Sequence, residues 1–242
     1  MLITSQFQDP TLRSDDFAEV LRRMSVITEL LAEKSGRVSE WFARGMTQEE
    51  AFLYPAFEKG EPSTALLAVL NHKYHEDKSF TYVSIWNGAE IDSEAMALTV
   101  HLNNTGRPGR LKLAGSSAPG QTFGRPDLVR DVVERIISHF PSHYVSVGPE
   151  DYFSHQVFKD KPGVGWMLYL PRIITAEQVP EAEALIPLPA PGKKQTGTLI
   201  VSVANEVFSL DNPRHIEVAN QIELRLVDQD LIERYEDMYW SA

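Results

Sequence analysis

The sequence contains no cysteine among its 242 residues. This absence excludes disulfide bonds, catalytic thiolates and metal sites with cysteine ligands. Long hydrophobic runs are also missing, since no apolar stretch approaches the roughly 18 residues that a membrane-spanning helix needs. The opening stretch MLITSQFQDP has neither the basic region nor the apolar core of a signal peptide. We therefore expect a soluble protein that stays in the cytoplasm.

Basic residues are the minority among the charged ones. The chain has 34 Asp and Glu against 23 Lys and Arg, which gives a net charge of −11. A field of this sign repels a phosphate backbone, so direct nucleic-acid binding is disfavoured. It attracts basic proteins, although an acidic balance is also ordinary for a cytoplasmic protein. Hydrophobic residues make up 43%, which is enough for a folded core.

Helical and strand-like periodicities both occur along the chain. Ser14 is the expected cap of a first helix that ends at Gly36. Further helices are predicted at 38–45, after Thr47, after Ser63, at 126–138 and after Asn212. Strands are predicted at 80–88, 94–103, 109–115, 143–148, 164–171 and 196–204, with mostly turn in the proline-rich stretch 180–194. This order predicts an α+β fold: one integrated domain over 1–242, with a mainly antiparallel sheet flanked by helices.

Catalytic motifs are scarce, since neither G-x-S-x-G nor H-E-x-x-H occurs. One alternative is a metal-dependent hydrolase that uses the imidazoles and carboxylates of HKYHED, namely His72, His75, Glu76 and Asp77. No second ligand set with a recognisable spacing accompanies them, so a solvated helix end is favoured. GRPGR (106–110) is interpreted as a turn with two arginines, with a phosphate site as the less favoured alternative.

The densest group of carboxylates lies in LVDQDLIERYED (226–237), near the end of the sequence. A helix from about Gln229 would bring Asp230, Glu233 and Asp237 to one side at i, i+3, i+7 spacing. Its apolar side would carry Leu231, Ile232, Tyr235, Met238 and Tyr239. Three interpretations stay open for these acids: a solvated helix face, a protein-binding face or a catalytic cluster. No His, Cys or Lys beside them offers acid–base chemistry, and we expect neither a cofactor nor a bound metal.

Longer patterns resemble a known family. They are EEAFLYPAF (49–57), WNG (86–88), GVGWMLYLP (163–171) and TGTLIVSVANEVFSLDNPRHIEVANQIELRLVDQDL (196–231). With them the chain resembles the immunity protein 52 family of bacterial polymorphic toxin systems, over about residues 15–233 and most specifically in the C-terminal third.

The resemblance implies a function that the residue chemistry does not reach. It implies a non-enzymatic protein that binds and neutralises a cognate nuclease toxin, delivered by type VI secretion and carrying a restriction-endonuclease-like domain. An acidic effector adaptor or chaperone is the second alternative. On our own inference, the partner-binding acids are Asp228, Asp230, Glu233, Glu236 and Asp237, with the aromatic anchors Tyr235, Tyr239 and Trp240.

Overall fold

The computed structural model describes residues 1–35, 40–45, 47–118, 121–189, 192 and 194–238. The helices of this described part are α1 (Phe17–Ser35), α2 (Gln48–Phe52), α3 (Thr64–Lys73), α4 (Pro126–His139), α5 (Tyr152–His155) and α6 (Pro213–Asp228). Its strands are β1 (Leu2–Phe7), β2 (Phe42–Ala43), β3 (Phe57–Glu58), β4 (Glu61–Pro62), β5 (Phe80–Trp86), β6 (Ala97–Asn103), β7 (Gly109–Ala114), β8 (Ser142–Gly148), β9 (Met167–Leu170), β10 (Ala184–Leu188) and β11 (Gly197–Val201). None of these helices is long and apolar enough to cross a membrane.

One antiparallel sheet organises the described residues. Nine strands run in the order β10-β11-β9-β8-β1-β7-β6-β5-β2, and β3 and β4 form a separate small hairpin. Neighbouring strands of the large sheet pair antiparallel. The expected α+β fold with a mainly antiparallel sheet is therefore confirmed.

The helices α1 and α4 pack together over one face of the sheet. The aromatic ring of Phe7 on β1 meets that of Phe140, at the end of α4, with 4.9 Å between ring centroids. Ser5, one alternation earlier on β1, donates its hydroxyl to Ser142 at 2.9 Å on this side. Because strand side chains alternate, the intervening residues of β1 face the opposite side of the sheet.

The longest strands that were not predicted from the sequence are β1 and β10. The stretch 2–7 forms β1 in the middle of the sheet, between β8 and β7. The prediction of mostly turn for 180–194 is wrong in part, because Ala184–Leu188 forms the edge strand β10. Pro187 is compatible with that strand because an edge strand leaves one row of backbone groups unpaired.

The region before α3 also differs from the prediction. The helix expected at 38–45 is wrong, because Phe42 and Ala43 pair as a strand with Trp86 and Ile85. β-Sheet pairing here outweighs the local helical pattern. The first helix begins at Phe17, where a carboxylate oxygen of Asp16 accepts from the Glu19 backbone N–H at 3.2 Å.

The residue expected to cap the first helix has a different role. The hydroxyl of Ser14 donates to the carbonyl of Lys78 instead. The side chains of Thr47 and Ser63 cap α2 and α3, each accepting from the backbone N–H three residues later.

Candidate functional site

A row of side chains crosses the face of the sheet opposite α1 and α4. Tyr82, His101, Arg110, Gln6 and Tyr144 stand side by side on β5, β6, β7, β1 and β8 in the observed register. Residues opposite each other in antiparallel strands project to the same face and lie close enough to touch. We call this the sheet-face row.

All members of the sheet-face row except Tyr82 line the floor of a groove with two adjoining cavities of about 330 and 380 Å³. Gln6, Arg110, Lys112 and Tyr235 line both cavities. The first cavity also contacts Phe80 and Arg107, and the second extends to the segment 149–156. A broad open groove of this kind suits a segment of another protein more than a small enclosed ligand.

The wall formed by Tyr235 belongs to the acidic C-terminal segment, which we define as residues 228–238. The helix predicted from about Gln229 is wrong: α6 ends at Asp228, and Asp230 has a left-handed φ of 57°. Two hydrogen bonds close the helix end, from the backbone N–H of Leu231 to Leu226 (2.8 Å) and from that of Asp230 to Val227 (3.1 Å). These bonds form a Schellman motif with Asp230 in the position that glycine usually occupies.

The helix end changes where the predicted acids lie. Asp230, Glu233 and Asp237 do not share one helix face, although all five acids of the cluster are exposed. Glu233 accepts from Arg172 at 3.1 Å and Glu236 accepts from Arg234 at 3.3 Å. Asp228, Asp230 and Asp237 have no basic side chain within ion-pairing distance in the described part of the chain.

The acidic C-terminal segment is held in place from within. The backbone N–H of Tyr235 donates to Asp160 at 2.8 Å, and the ammonium of Lys161 donates to the Ile232 carbonyl at 2.8 Å. Ile232 and Met238 are buried, so the segment is anchored by apolar contacts while its acids face outward. The two remaining predicted anchors, Tyr239 and Trp240, lie outside the described residues.

The predicted anchor Tyr235 is half buried against the sheet. Its ring lies 6.1 Å from that of Tyr144, centroid to centroid. Burial raises the pKa of the Tyr235 phenol, so the side chain stays neutral at physiological pH. Tyr235 therefore connects the acidic C-terminal segment to the floor of the groove.

The alternative metal site does not assemble. His72 and His75 stack with ring centroids 5.5 Å apart, and His75 Nε2 lies 3.6 Å from a carboxylate oxygen of Glu76. All four candidate ligands are exposed, and Asp77 accepts hydrogen bonds from Ser79. Among the residues that the structure describes, no group of three or more His, Asp or Glu side chains is placed to hold a metal ion.

A buried carboxylate beside the groove has a structural role. Glu223 on α6 is 2% exposed and accepts three hydrogen bonds. The Tyr152 hydroxyl donates at 2.7 Å, the Val157 backbone N–H at 2.8 Å and the Val164 backbone N–H at 3.0 Å. These bonds use the carboxylate to tie α6 to the 152–164 segment. The arrangement supports the groove wall rather than presenting a reactive group to solvent.

The stability of the fold should depend on the protonation of Glu223. Burial raises its pKa above the usual 4.5, although the hydrogen bonds from Tyr152, Val157 and Val164 oppose the shift. A raised native pKa means that its contribution to stability is present below the unfolded pKa, near 4.5, and is lost as the pH rises through the native pKa. We therefore expect the Glu223→Gln variant to gain stability relative to wild type over that window. Urea unfolding of both proteins across this pH range measures the difference, and a pH-independent difference would contradict the assignment.

Comparisons with known proteins agree with this architecture. The fold is similar to that of the Pseudomonas aeruginosa T6SS protein PA0821, with a TM-score of 0.51 and 10% sequence identity. The alignment covers 91% of this chain and 75% of that chain, and at this identity the likeness concerns the fold alone. Comparison with curated proteins gives no match.

A family sequence profile covers nearly the whole chain. It matches residues 11–235, and its description is that of an immunity protein. The match includes all four sequence patterns quoted above and confirms the resemblance. The chain belongs to this family, Immunity protein 52. The family implies that the partner is a cognate toxin, so the groove and the acidic C-terminal segment are candidate contact surfaces.

Proposed function

We propose that the chain binds a cognate secreted nuclease toxin and neutralises it by direct contact, without catalysing a reaction. Its membership of an immunity protein family carries the proposal. The fold likeness to a T6SS protein supports a type VI secretion effector as the toxin. The proposed place of action is the cytoplasm, where a nuclease meets DNA.

The acidic C-terminal segment is the proposed docking surface for the nuclease. A nuclease must attract a polyanion, so the surface around its active site is basic. Exposed carboxylates on an anchored segment can meet that surface, and long-range attraction raises association rates by roughly 10- to 1000-fold. Asp228, Asp230 and Asp237 suit this role because they are exposed without ion-pair partners among the described residues. Tyr239 and Trp240 stay predicted anchors beyond Met238.

Co-expression with the nuclease encoded beside this gene tests the function. Restored growth, intact plasmid and co-purification of the two proteins are the expected results. Toxicity despite good expression of this chain would contradict the proposal. Co-purification without protection would favour the alternative of an effector adaptor or chaperone instead.

A pair of charge reversals tests the docking surface. We expect Asp228→Lys with Asp237→Lys to slow toxin association by about tenfold and to flatten its dependence on salt. The melting temperature should change by only a few degrees, because both side chains are exposed. Surface plasmon resonance at several ionic strengths gives the association rate.

The matched control for this pair lies on the opposite face of the sheet. Glu29 and Glu33 are exposed on α1, and Glu29→Lys with Glu33→Lys changes the net charge by the same amount. Equal slowing by the two variants would mean that net charge alone matters and that the acidic C-terminal segment is not the docking surface.

A further inference from the structure

The floor of the groove has a charge opposite to that of the whole protein. Arg110 and Lys112 are exposed on β7 and project to the same side, since they are two residues apart. Neither forms an ion pair with an acid anywhere in the described part of the chain, although acids outnumber bases in the sequence. Glu150 also lines the second cavity but forms no ion pair with either cation, so the two cations still mark a local site for negative charge.

The histidine beside these cations lies within their positive potential. His101 on β6 is opposite Arg110 in the register and is half-buried. Burial lowers the pKa of His101, and the charges of Arg110 and Lys112 lower it further. The imidazole is therefore neutral near pH 7 and adds no charge of its own beside Arg110 and Lys112.

A buried amide in the floor lacks a partner. Gln6 is 8% exposed, lines both cavities of the groove, and its Oε1 atom accepts no hydrogen bond from the described residues. An unpaired buried acceptor costs about 1–3 kcal/mol. The oxygen is turned away from the cavities, so a donor supplied by an occupant would recover that free energy once the amide rotates its oxygen toward the groove. The groove thus places the unpaired acceptor of Gln6 beside Arg110 and Lys112, two cations that can bind a carboxylate.

Aromatic side chains flank the cations on one side. Phe80 is 59% exposed, and Tyr82, 40% exposed, lies with its ring centroid 5.6 Å from that of His101. The Lys73 ammonium sits 4.1 Å from the centroid of the Tyr82 ring and holds that ring in place. Exposed aromatic residues beside arginine are typical of the energetic centres of protein interfaces.

We infer that the groove binds an acidic segment of the toxin, which brings a carboxylate to Arg110 and Lys112 and a backbone N–H to Gln6. An inorganic anion without a proton, such as sulfate, would satisfy the cations and still leave Gln6 without a donor. A polypeptide carries both groups side by side. The inference rests on the direct toxin binding proposed above. It gives the interface two regions of opposite charge, the basic floor of the groove and the acidic C-terminal segment, which meet at Tyr235.

The charge-reversal pair Arg110→Glu with Lys112→Glu separates local from global electrostatics. The variant makes the protein more acidic, which alone would speed association with a basic nuclease. We expect the opposite: a toxin dissociation constant at least about tenfold higher, because like charges would then face each other in the groove. Binding is measured by calorimetry with a catalytically inactive form of the neighbouring nuclease.

Three further variants control the experiment. Arg214→Glu with Lys194→Glu adds the same negative charge at exposed positions on α6 and before β11, and should bind at least as tightly as wild type. Arg110→Lys with Lys112→Arg keeps both charges and should retain most of the affinity. Gln6→Leu should keep or raise the melting temperature of the free protein and weaken the complex.

The outcomes distinguish the inference from the function on which it rests. Protection by wild type with unchanged binding of the Arg110/Lys112 reversal would overturn the inference and leave the proposed function standing. Binding of inorganic phosphate by wild type, lost in the reversal while toxin affinity stays unchanged, would make the groove an anion site and also overturn it. No toxin binding by wild type would overturn both.

Discussion

Replacing Glu223 with alanine is expected to destabilise the protein by about 4 kcal/mol, lowering its melting temperature by about 10 °C. The substitution removes the acceptor of the Tyr152 hydroxyl and of the Val157 and Val164 backbone N–H groups. The Val164 N–H would be left buried without a partner, at a cost of about 1–3 kcal/mol. The Tyr152 hydroxyl would keep only its longer bond to Asn220, and the Val157 N–H is part-buried, so these two add smaller costs to the loss of the buried side chain. Differential scanning calorimetry and urea unfolding measure the loss.

The control for Glu223 is on the same helix. Glu217 is exposed, and Glu217→Ala should change the free energy of unfolding by no more than about 0.5 kcal/mol. Because Glu223 also fixes the 152–164 segment, which borders the groove, Glu223→Ala should weaken toxin binding at temperatures where the variant is still folded. A loss of stability no larger than that of Glu217→Ala would contradict the role assigned to the buried carboxylate.

Replacing Trp166 with alanine is expected to have a similar effect on stability, about 4 kcal/mol. Trp166 is fully buried in the core, and its indole N–H donates to the Val203 carbonyl at 2.8 Å. Its backbone also joins β8 to the residue that follows β11: its N–H donates to the Val147 carbonyl, and its carbonyl accepts from the Ser202 backbone N–H. Removing the indole ring would leave a large cavity in a well-packed core. The surrounding side chains would not close it fully, so most of the lost contact energy would not be recovered.

Two companion substitutions test the packing argument for Trp166. Trp166→Phe keeps most of the volume and loses the hydrogen bond, so about 1–2 kcal/mol of destabilisation is expected. Phe153→Ala removes an exposed ring and should have little effect on chemical unfolding. If Trp166→Ala unfolded at the same urea concentration as Phe153→Ala, the claim that this residue organises the core would be wrong.

The sequence patterns that identify the family are largely structural in this fold. GVGWMLYLP contains Trp166, the strand β9 and Gly165, whose φ of +52° places it in the left-handed region. A Cβ at Gly165 would also lie 2.8 Å from the Val147 carbonyl oxygen. Resemblance through such a pattern therefore predicts the fold and the family, and it gives no position for the toxin contacts.

Local patterns predicted the long elements of the fold and missed those defined by distant contacts. Strands β5, β6 and β7 follow clear alternation, and Asn212 with Pro213 marks the start of α6. β1 carries Thr4, Ser5 and Gln6 in a short stretch, so its central position depends on pairing with β7 and β8. Nothing local to 2–7 contains that information.

The end of α6 was mispredicted for a local reason. Helices commonly stop at a glycine in the left-handed conformation, and here Asp230 takes that conformation. Aspartate tolerates it better than most residues, yet its presence gives no stop signal in a run of helix-forming residues. The assumed continuation of the helix then grouped Asp230, Glu233 and Asp237 on a face that does not exist.

The groove was missed although a signal was present in the sequence. Arg110 and Lys112 alternate with Leu111 and Leu113, which already assigns two cations to one face of a strand. Joining that face to Gln6, His101 and Tyr144 requires the strand order and the register. Strand order is a property of the whole chain, so single-strand patterns leave such a surface invisible.

The two edge strands of the large sheet limit how a partner can bind through backbone hydrogen bonds. One border is the two-residue strand β2, and the other is β10, which contains a proline. Such borders offer few free backbone groups to an incoming strand, so the partner has little opportunity to extend the sheet. The contacts with the partner must then be made by side chains that project from the sheet and its flanking segments. Specificity for a changed toxin can then evolve through single substitutions of these side chains, because such substitutions leave the backbone of the sheet unchanged.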